Sequence, residues 1–456
     1  TLACWITLPR QQELHLRTDR EFSLHPIIFR TPSGSASISI STFVLMNRLF
    51  LLTITAVALT VSGLVPARGA SSGLIVTFDN IPHRVRRDNP HLAAARLRIP
   101  EAIGHMQQAG RRSNPKLEGG FARNTTREGS LEIALSQRFP ITNRLQLEKN
   151  ISAIELKAAE AEVREVERLL VGEARRALVE VLTFRQRRAL LKQQAAVSTK
   201  LAEFIKQAAE KGEESPIDAA QSRLEAAGYS NEIRQLQANE TAAIATIKPL
   251  LGMKVGDVLN VSGTLPEATL PAPSLSPDRR PDYQAAQLAA HAAAENVELE
   301  KSRRYEDIEA GLAAGLERTE DVPEGLENEA IVGLRFKLAL PFWDRNEGNI
   351  RAAQARATRK EKESVALAHR IRHEAHGSHR EMAEWIKMLQ EITGNLLPLA
   401  AEQAKAAESA YREGFADLTT VLRAREQELK LAHSRIEALR SFHLARIRFE
   451  TAIAKP

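Results

Sequence analysis

Four histidines recur along one stretch of the chain: His369, His373, His376 and His379, at spacings of four, three and three. On an α-helix that pitch stacks the imidazoles along one face. Imidazole nitrogens so placed are a ligand set for zinc and similar cations, which makes His369, His373 and His376 the candidate metal residues. Arg370, Arg372 and Arg380 crowd the same stretch, and no orienting carboxylates are legible. A plain solvated helix face is the competing reading. His373-Glu374-Ala375-His376 lacks the two-residue spacer of the zinc protease motif, and the chain has no phosphate loop, dinucleotide fingerprint or nucleophile elbow. These residue types point to a non-enzyme without a cofactor.

A second set of polar residues sits at two glycine turns. One reads Lys211-Gly212-Glu213-Glu214-Ser215-Pro216-Ile217-Asp218, the other Glu413-Gly414-Phe415-Ala416-Asp417-Leu418-Thr419-Thr420. Gly supplies a left-handed helix cap, and Ser215 or Asp417 can cap the helix that follows. Asp218 reads equally as a helix-start acid favoured by the dipole or as one member of a carboxylate ring in a symmetric pore. Arg423 is placed to pair with Asp417 or Asp218 and tie the return helices together.

The elements that carry these residues come in two copies. A short helix, two alternating strands ending in Pro, one very long helix, a Gly turn and a return helix run from Asn89 to Leu251, and the same order runs again from Arg280 to Ile453. The first repeat is expected over 77–251, with strands at 116–139, a long helix at 143–211 and a return helix at 216–251. The second is expected over 281–455, with strands at 307–340, a long helix at 346–413 and a return helix at 418–454. Residues 252–280, with five prolines from Pro266 to Pro281 at its edge, form a linker belt outside the helices. Ala pairs recur along both long helices without a strict Leu heptad, which favours close packing against two neighbours over a two-stranded coiled coil. Pro398, just after Gly394-Asn395, bends the second long helix and is the candidate hinge.

The strands alternate apolar and polar residues, so each has one apolar face. Val332, Leu334, Phe336, Leu338 and Leu340 oppose Arg335 and Lys337. Ile308, Ala310, Leu312, Ala314 and Leu316 oppose Glu309 and Glu317. The first pair of strands places Glu132 and Arg138 opposite Leu131, Ile133 and Leu135. A half-buried hairpin on a soluble core is the modest interpretation. Strand lengths near 10 residues and full charges on the polar faces favour a membrane barrel, with Glu132, Arg138, Glu309, Arg335 and Lys337 in an aqueous lumen. Four strands cannot close alone. Three chains giving twelve strands is the economical completion, and two giving eight is open by counting.

The ends of the chain bear on where it works. Met46-Asn47-Arg48, an apolar run from Leu49 to Val65 and Ala67-Arg68-Gly69-Ala70 read as a secretory signal peptide over 46–70, cleaved between Ala67 and Ala70. An uncleaved anchor is the alternative. Residues 1–45 read as translated upstream sequence and are set aside. The only cysteine, Cys4, lies there, so neither a disulfide nor a thiolate metal site is expected beyond it. Six arginines and three acids in residues 1–70 account for half of the net charge of +6. The remainder is weakly basic for its length, with no basic stripe for nucleic acid.

On the strand pairs closing at Phe139-Pro140 and Leu340-Pro341, and on the two Gly-turn segments, the chain resembles the TolC family of outer membrane efflux channels over residues 77–455. Leu340-Pro341-Phe342-Trp343-Asp344-Arg345-Asn346-Glu347-Gly348-Asn349-Ile350 is similar to the second strand-to-helix joint of the heavy-metal branch, which exports ions such as cobalt, zinc, cadmium, copper or silver. The resemblance implies a homotrimer, mostly α, with a twelve-stranded β-barrel in outer membrane lipid on a long α-helical barrel. It implies a periplasmic adaptor protein and an inner-membrane RND-type pump as partners. Gly212 and Gly414 would be the periplasmic tip turns. Asp218 matches a tip position that is acidic in well-known members; Thr420 stands at its equivalent, and Arg423 replaces a further acid, so the acidic constriction is reduced. A drug-efflux or type I secretion channel is the alternative within the family. A soluble periplasmic helical scaffold is the alternative outside it.

Overall fold

The computed structural model of the chain describes residues 74–125, 128–321 and 325–455. The expected signal segment and the stretch before it lie outside the described residues. A short strand, β1 (Leu74–Val76), leads into three short helices, α1 (Ile81–Asp88), α2 (Pro90–Arg96) and α3 (Arg98–Gln108). Strands β2 (Lys116–Arg123) and β3 (Gly129–Phe139) follow, then α4 (Arg144–Glu210) and α5 (Pro216–Leu250). After the linker strand β4 (Leu259–Val261) the order repeats as α6 (Pro281–Ser302), β5 (Ile308–Asp321), β6 (Gly325–Lys337), α7 (Glu347–Glu391), α8 (Leu397–Arg412) and α9 (Leu418–Ala452). The duplication is close: α5 and α9 are both 35 residues long.

With 67 residues, α4 runs about 100 Å at the usual rise. Its neighbours change along its length. Leu147 and Ile151 pack on Leu299 of α6. Leu178 and Leu182 join Val76, Ile81, Val85, Ile247 and Val261 in the largest core. Farther on, Leu191 meets Leu236 of α5 and Leu429 of α9, and Ile205 meets Ala219, Tyr411 and Val421. Apolar residues must therefore face different partners at different heights, so no one stripe runs the whole helix. Small residues supply many of these contacts, among them Ala161, Ala174, Ala202, Ala375, Ala404 and Ala445, all buried.

The second long helix is broken next to Pro398, where a bend is expected. A π-turn at Ile392–Leu396 separates α7 from α8, with the Leu397 N–H donating to Ile392 O. Pro398 follows at once. It has no N–H for the carbonyl four residues back, and its ring crowds that carbonyl, so the helix widens locally to relieve both.

The linker lies along the helices and is pinned to them. β4 pairs in parallel with β1, Leu74 opposite Leu259 and Val76 opposite Val261. Arg185 on α4 donates to Val261 O and, at 2.6 Å, to Glu240 on α5. Arg188 shares that carboxylate at 2.6 Å, so a nearly buried acid is held between two guanidiniums. At the far end Arg280 bonds Asp282 at 2.8 Å and Glu374 on α7 at 2.7 Å. No helix among the described residues is long and apolar enough to cross a membrane.

Candidate functional site: the β-sheet and the helical tip

The four long strands form one antiparallel sheet in the order β2-β3-β5-β6. Its register aligns side chains of like character in rows. One face carries Leu117, Leu135, Leu312 and Leu334 in one row, Gly119, Ile133, Ala314 and Val332 in the next, then Phe121, Leu131, Leu316 and Ala330. None of the described residues covers this face: Val332 is 80% exposed and Phe336 72%. The row beyond Leu316 holds Arg123 and Arg318, which closes the apolar band with charge.

The opposite face carries every strand residue expected in a lumen. Arg138 Nε donates to Glu309 Oε2 at 3.2 Å across the β3–β5 pair. Glu132 and Arg335 form an ion pair that reaches over β5. The reach is possible because β5 presents Gly311, Ala313 and Gly315 there; a Cβ at Gly311 would stand 2.8 Å from Leu135 O. Lys337 lies opposite Glu309. Below the sheet Arg144 joins Asp307 at 2.7 Å and Glu148 at 3.3 Å, extending the charged lining to the start of α4. Among the described residues no strand pairs with the outer edge of β2 or of β6.

At the other end the two turns are alike. Gly212 and Gly414 share φ +79, the left-handed cap expected of them. Glu213 N donates to Ala208 O at 2.9 Å, and Phe415 N to Ala410 O at 2.8 Å. Ser215 Oγ accepts from Ile217 N, and Asp417 Oδ1 from Thr420 N at 2.8 Å and Thr420 Oγ1 at 2.5 Å. These bonds, chiefly those from Thr420, hold the Asp417 carboxyl below its usual range. Asp218 sits half-buried in the first turn of α5, near the Tyr411 phenol.

The tie between the two turns differs from the expected one. Arg423 is exposed and makes no ion pair among the described residues, while Asp417 is engaged as a cap. Instead, Tyr411 Oη donates to Glu214 Oε1 at 2.8 Å, joining one repeat's helix to the other's turn. Burial, with Glu214 beside it, keeps that phenol protonated. Arg425 pairs with Glu408 on α8 and, at 3.0 Å, with Glu428. Sequence reading passed over Tyr411 because its partner belongs to the other repeat; the sole local signal is an aromatic three residues before the capping Gly414. Between α5 and α9, over α4, runs a cleft of about 920 Å³ with Arg423, Glu426, Glu225 and Tyr229 on its walls. Burial, with Glu426 near, pushes the Glu225 carboxyl up, and Tyr229 is pushed up to about 12.

The histidines do not converge. His369, His373 and His376 are exposed along α7, and His379 turns inward, its Nε2 3.0 Å from Pro271 O of the linker. Among the described residues no three His, Cys, Asp or Glu side chains are grouped to hold a metal ion. The histidine that matters structurally is one the spacing argument did not single out: His443, fully buried, with Nε2 2.8 Å from Pro266 O.

Residues 81–253 match the family model described as outer membrane efflux protein. The chain has the TolC-like fold of outer-membrane efflux channels. The outer-membrane channel OprN superposes with a TM-score of 0.69 at 18% identity, covering 83% of this chain and 90% of that one. CusC, described in connection with transmembrane channel formation, gives 0.69 at 16% identity, covering 82% and 91%. The cobalt-zinc-cadmium resistance protein CzcC of Cupriavidus metallidurans is 24% identical over 345 residues, 74% of this chain and 80% of the relative.

Proposed function

We propose that this chain is the outer-membrane exit duct of a tripartite efflux system. Three copies join their sheets edge to edge into a twelve-stranded barrel in outer membrane lipid, and their helices continue as a tunnel through the periplasm. The observation that carries this is the sheet itself: one uncovered apolar face, one charged face with its own ion pairs, and two free edges. A soluble scaffold would leave that face to water, where large apolar patches drive aggregation. The duct does no chemistry. A periplasmic adaptor and an inner-membrane RND-type pump supply cargo and energy, and the turns at Gly212 and Gly414 are the surface offered to the adaptor.

Heavy-metal cations are the proposed cargo. The likeness to CzcC and the strand-to-helix joint from Leu340 to Ile350 support this reading. The reduced acidity at Thr420 and Arg423 leaves Asp218 as the remaining ring acid at the tip. The test is deletion and complementation in the host, with metal tolerance and drug tolerance read in parallel. Restored zinc, cobalt or cadmium tolerance supports the metal reading; restored drug tolerance alone replaces it. Failure of the protein to enter the outer-membrane fraction removes the channel.

A further inference from the structure

A polar cleft of about 610 Å³ opens where the sheet meets the helices, between α6, the β6–α7 joint and the start of α7. Its rim is apolar. Leu340, three residues past the end of β6, is exposed, and Trp343 stands 96% exposed, edge-on to Phe342 with ring centroids 6.2 Å apart. An exposed Trp at the foot of a lipid-facing band is placed at headgroup depth, where its amphipathic ring belongs.

The cleft's charges divide into engaged and free. Glu300 bonds Arg303 at 2.7 Å and accepts from Asn346 Nδ2 at 2.9 Å. Asn346, at φ 57, takes a left-handed conformation that Asn tolerates better than most residues, and this turns the chain under the rim. Arg304 and Arg356 have no ion-pair partner among the described residues, and the Arg304 Nε is buried without a hydrogen bond. A buried donor left alone is costly unless something accepts from it. Glu306 likewise has no partner among the described residues, and Asp344 accepts only the Asn346 N–H at 2.9 Å. Two free guanidiniums and two acids with acceptor capacity to spare thus share one cleft beneath a Trp.

We infer that this cleft binds the headgroup of a zwitterionic phospholipid of the periplasmic leaflet, one that carries a phosphate and a primary ammonium. The phosphate oxygens accept from Arg304 and Arg356, matching the planar donor geometry of guanidinium. The ammonium donates to Glu306 and Asp344, with the Trp343 ring face available to it. The acyl chains rise over Leu340 and Phe336. This inference rests on the channel reading, because only a sheet in lipid brings a headgroup to this height.

The test uses the full chain purified in detergent and doped with phosphatidylethanolamine or phosphatidylglycerol, with bound lipid counted by native mass spectrometry. Conductance in planar bilayers is recorded on the same preparations. The parent is expected to retain phosphatidylethanolamine at least tenfold better than Arg304→Gln/Arg356→Gln. The surface variant Glu306→Gln/Asp344→Asn is expected to lose the preference over phosphatidylglycerol, and it keeps the test open if the arginine variant does not fold. Equal retention by parent and arginine variant, or no preference in the parent, overturns the site. A parent that conducts yet holds no phosphatidylethanolamine overturns the site alone. A parent that neither conducts nor enters lipid overturns the channel with it.

Discussion

Placing an arginine at Leu334 tests the assignment of the two sheet faces. The apolar band on β5 runs from Ile308 to Leu316, with Leu334 paired to Leu312 at its centre. Nine residues at about 3.4 Å each span about 27 Å along the strand. A tilt of about 40° reduces that to about 21 Å of height, close to the roughly 25 Å apolar band of outer-membrane barrels. Leu334 is therefore near the midplane, where an arginine costs about 2–4 kcal/mol. That is a shift of roughly 30- to 700-fold in the folding equilibrium per chain. Ile331 lies three residues away on the same strand and on the charged face, opposite Gly315. Ile331→Arg should therefore fold into bilayers nearly as well as the parent and alter conductance instead. The assay is urea-dependent folding into lipid vesicles for both variants. If Leu334→Arg proves no more costly than Ile331→Arg, the outward and inward faces are misassigned and the barrel argument fails.

Four further outcomes follow from the helical part. Tyr411→Phe removes the bond to Glu214, a loss of about 1.5–3 kcal/mol for a bond to a charged group, and should raise the open probability in planar bilayers; an unchanged open probability makes the bond a packing detail. Pro398→Ala removes the cause of the π-turn and should change gating while the oligomeric state on gel filtration stays that of the parent; parental gating would clear Pro398 of a hinge role. Arg423→Ala should raise single-channel conductance by removing three positive charges from the tip, with salt lowering the difference; no change at low salt removes Arg423 from the pore. The His443 imidazole is held below its usual range chiefly by burial, against the bond to Pro266 O, with Arg446 adding to the shift and Glu450 opposing it. A folded-state value below the unfolded one, about 6.5, means stability that is full above that pH and lost as pH falls below it. Protection of the Ser262 amide, which donates to Val76 O, should accordingly fall between pH 7 and pH 5 relative to its intrinsic exchange rate, and His443→Phe should flatten that dependence.

What was legible in the sequence is what depends on local pattern. Period-two alternation marks the four strands and their faces, because side chains alternate across a strand and Glu309, Arg335 and Lys337 therefore share the face opposite the leucines. Gly212 and Gly414 marked the turns because left-handed caps nearly require glycine. The strands proved longer than expected in the second repeat, 14 and 13 residues, because alternation fades beyond Leu316 while backbone pairing continues. Pairings between distant residues were not legible. Arg423 invites a pair with Asp417 or Asp218 and makes neither among the described residues; Asp417 is taken up by capping a 35-residue helix. The histidine spacing suggested a metal, yet one face of a long helix is not one site: His379 answers to the linker and the other three to solvent. His443 carried no signal, since an isolated histidine among Phe442, Leu444 and Ala445 reads like any core residue.

The number of copies can be argued from diameter. Along the lower part of the wall each chain contributes four helices, α4, α5, α8 and α9, and in the sheet four strands. Two copies would close eight strands, a barrel whose interior side chains alone fill. The inner face here carries Glu132, Arg138, Glu309, Arg335 and Lys337 from every copy, and ten such long side chains would plug it. Three copies close twelve strands at about 4.8 Å spacing, which with a tilt of about 40° makes a circumference near 75 Å and a diameter of about 24 Å between strand axes. Twelve helices at about 10 Å spacing make a ring about 38 Å across between axes, leaving room for a wide aqueous bore. The larger assembly is the one the proposed function calls for: in it the charged strand faces would meet water inside the barrel, and the helices below would continue the same passage.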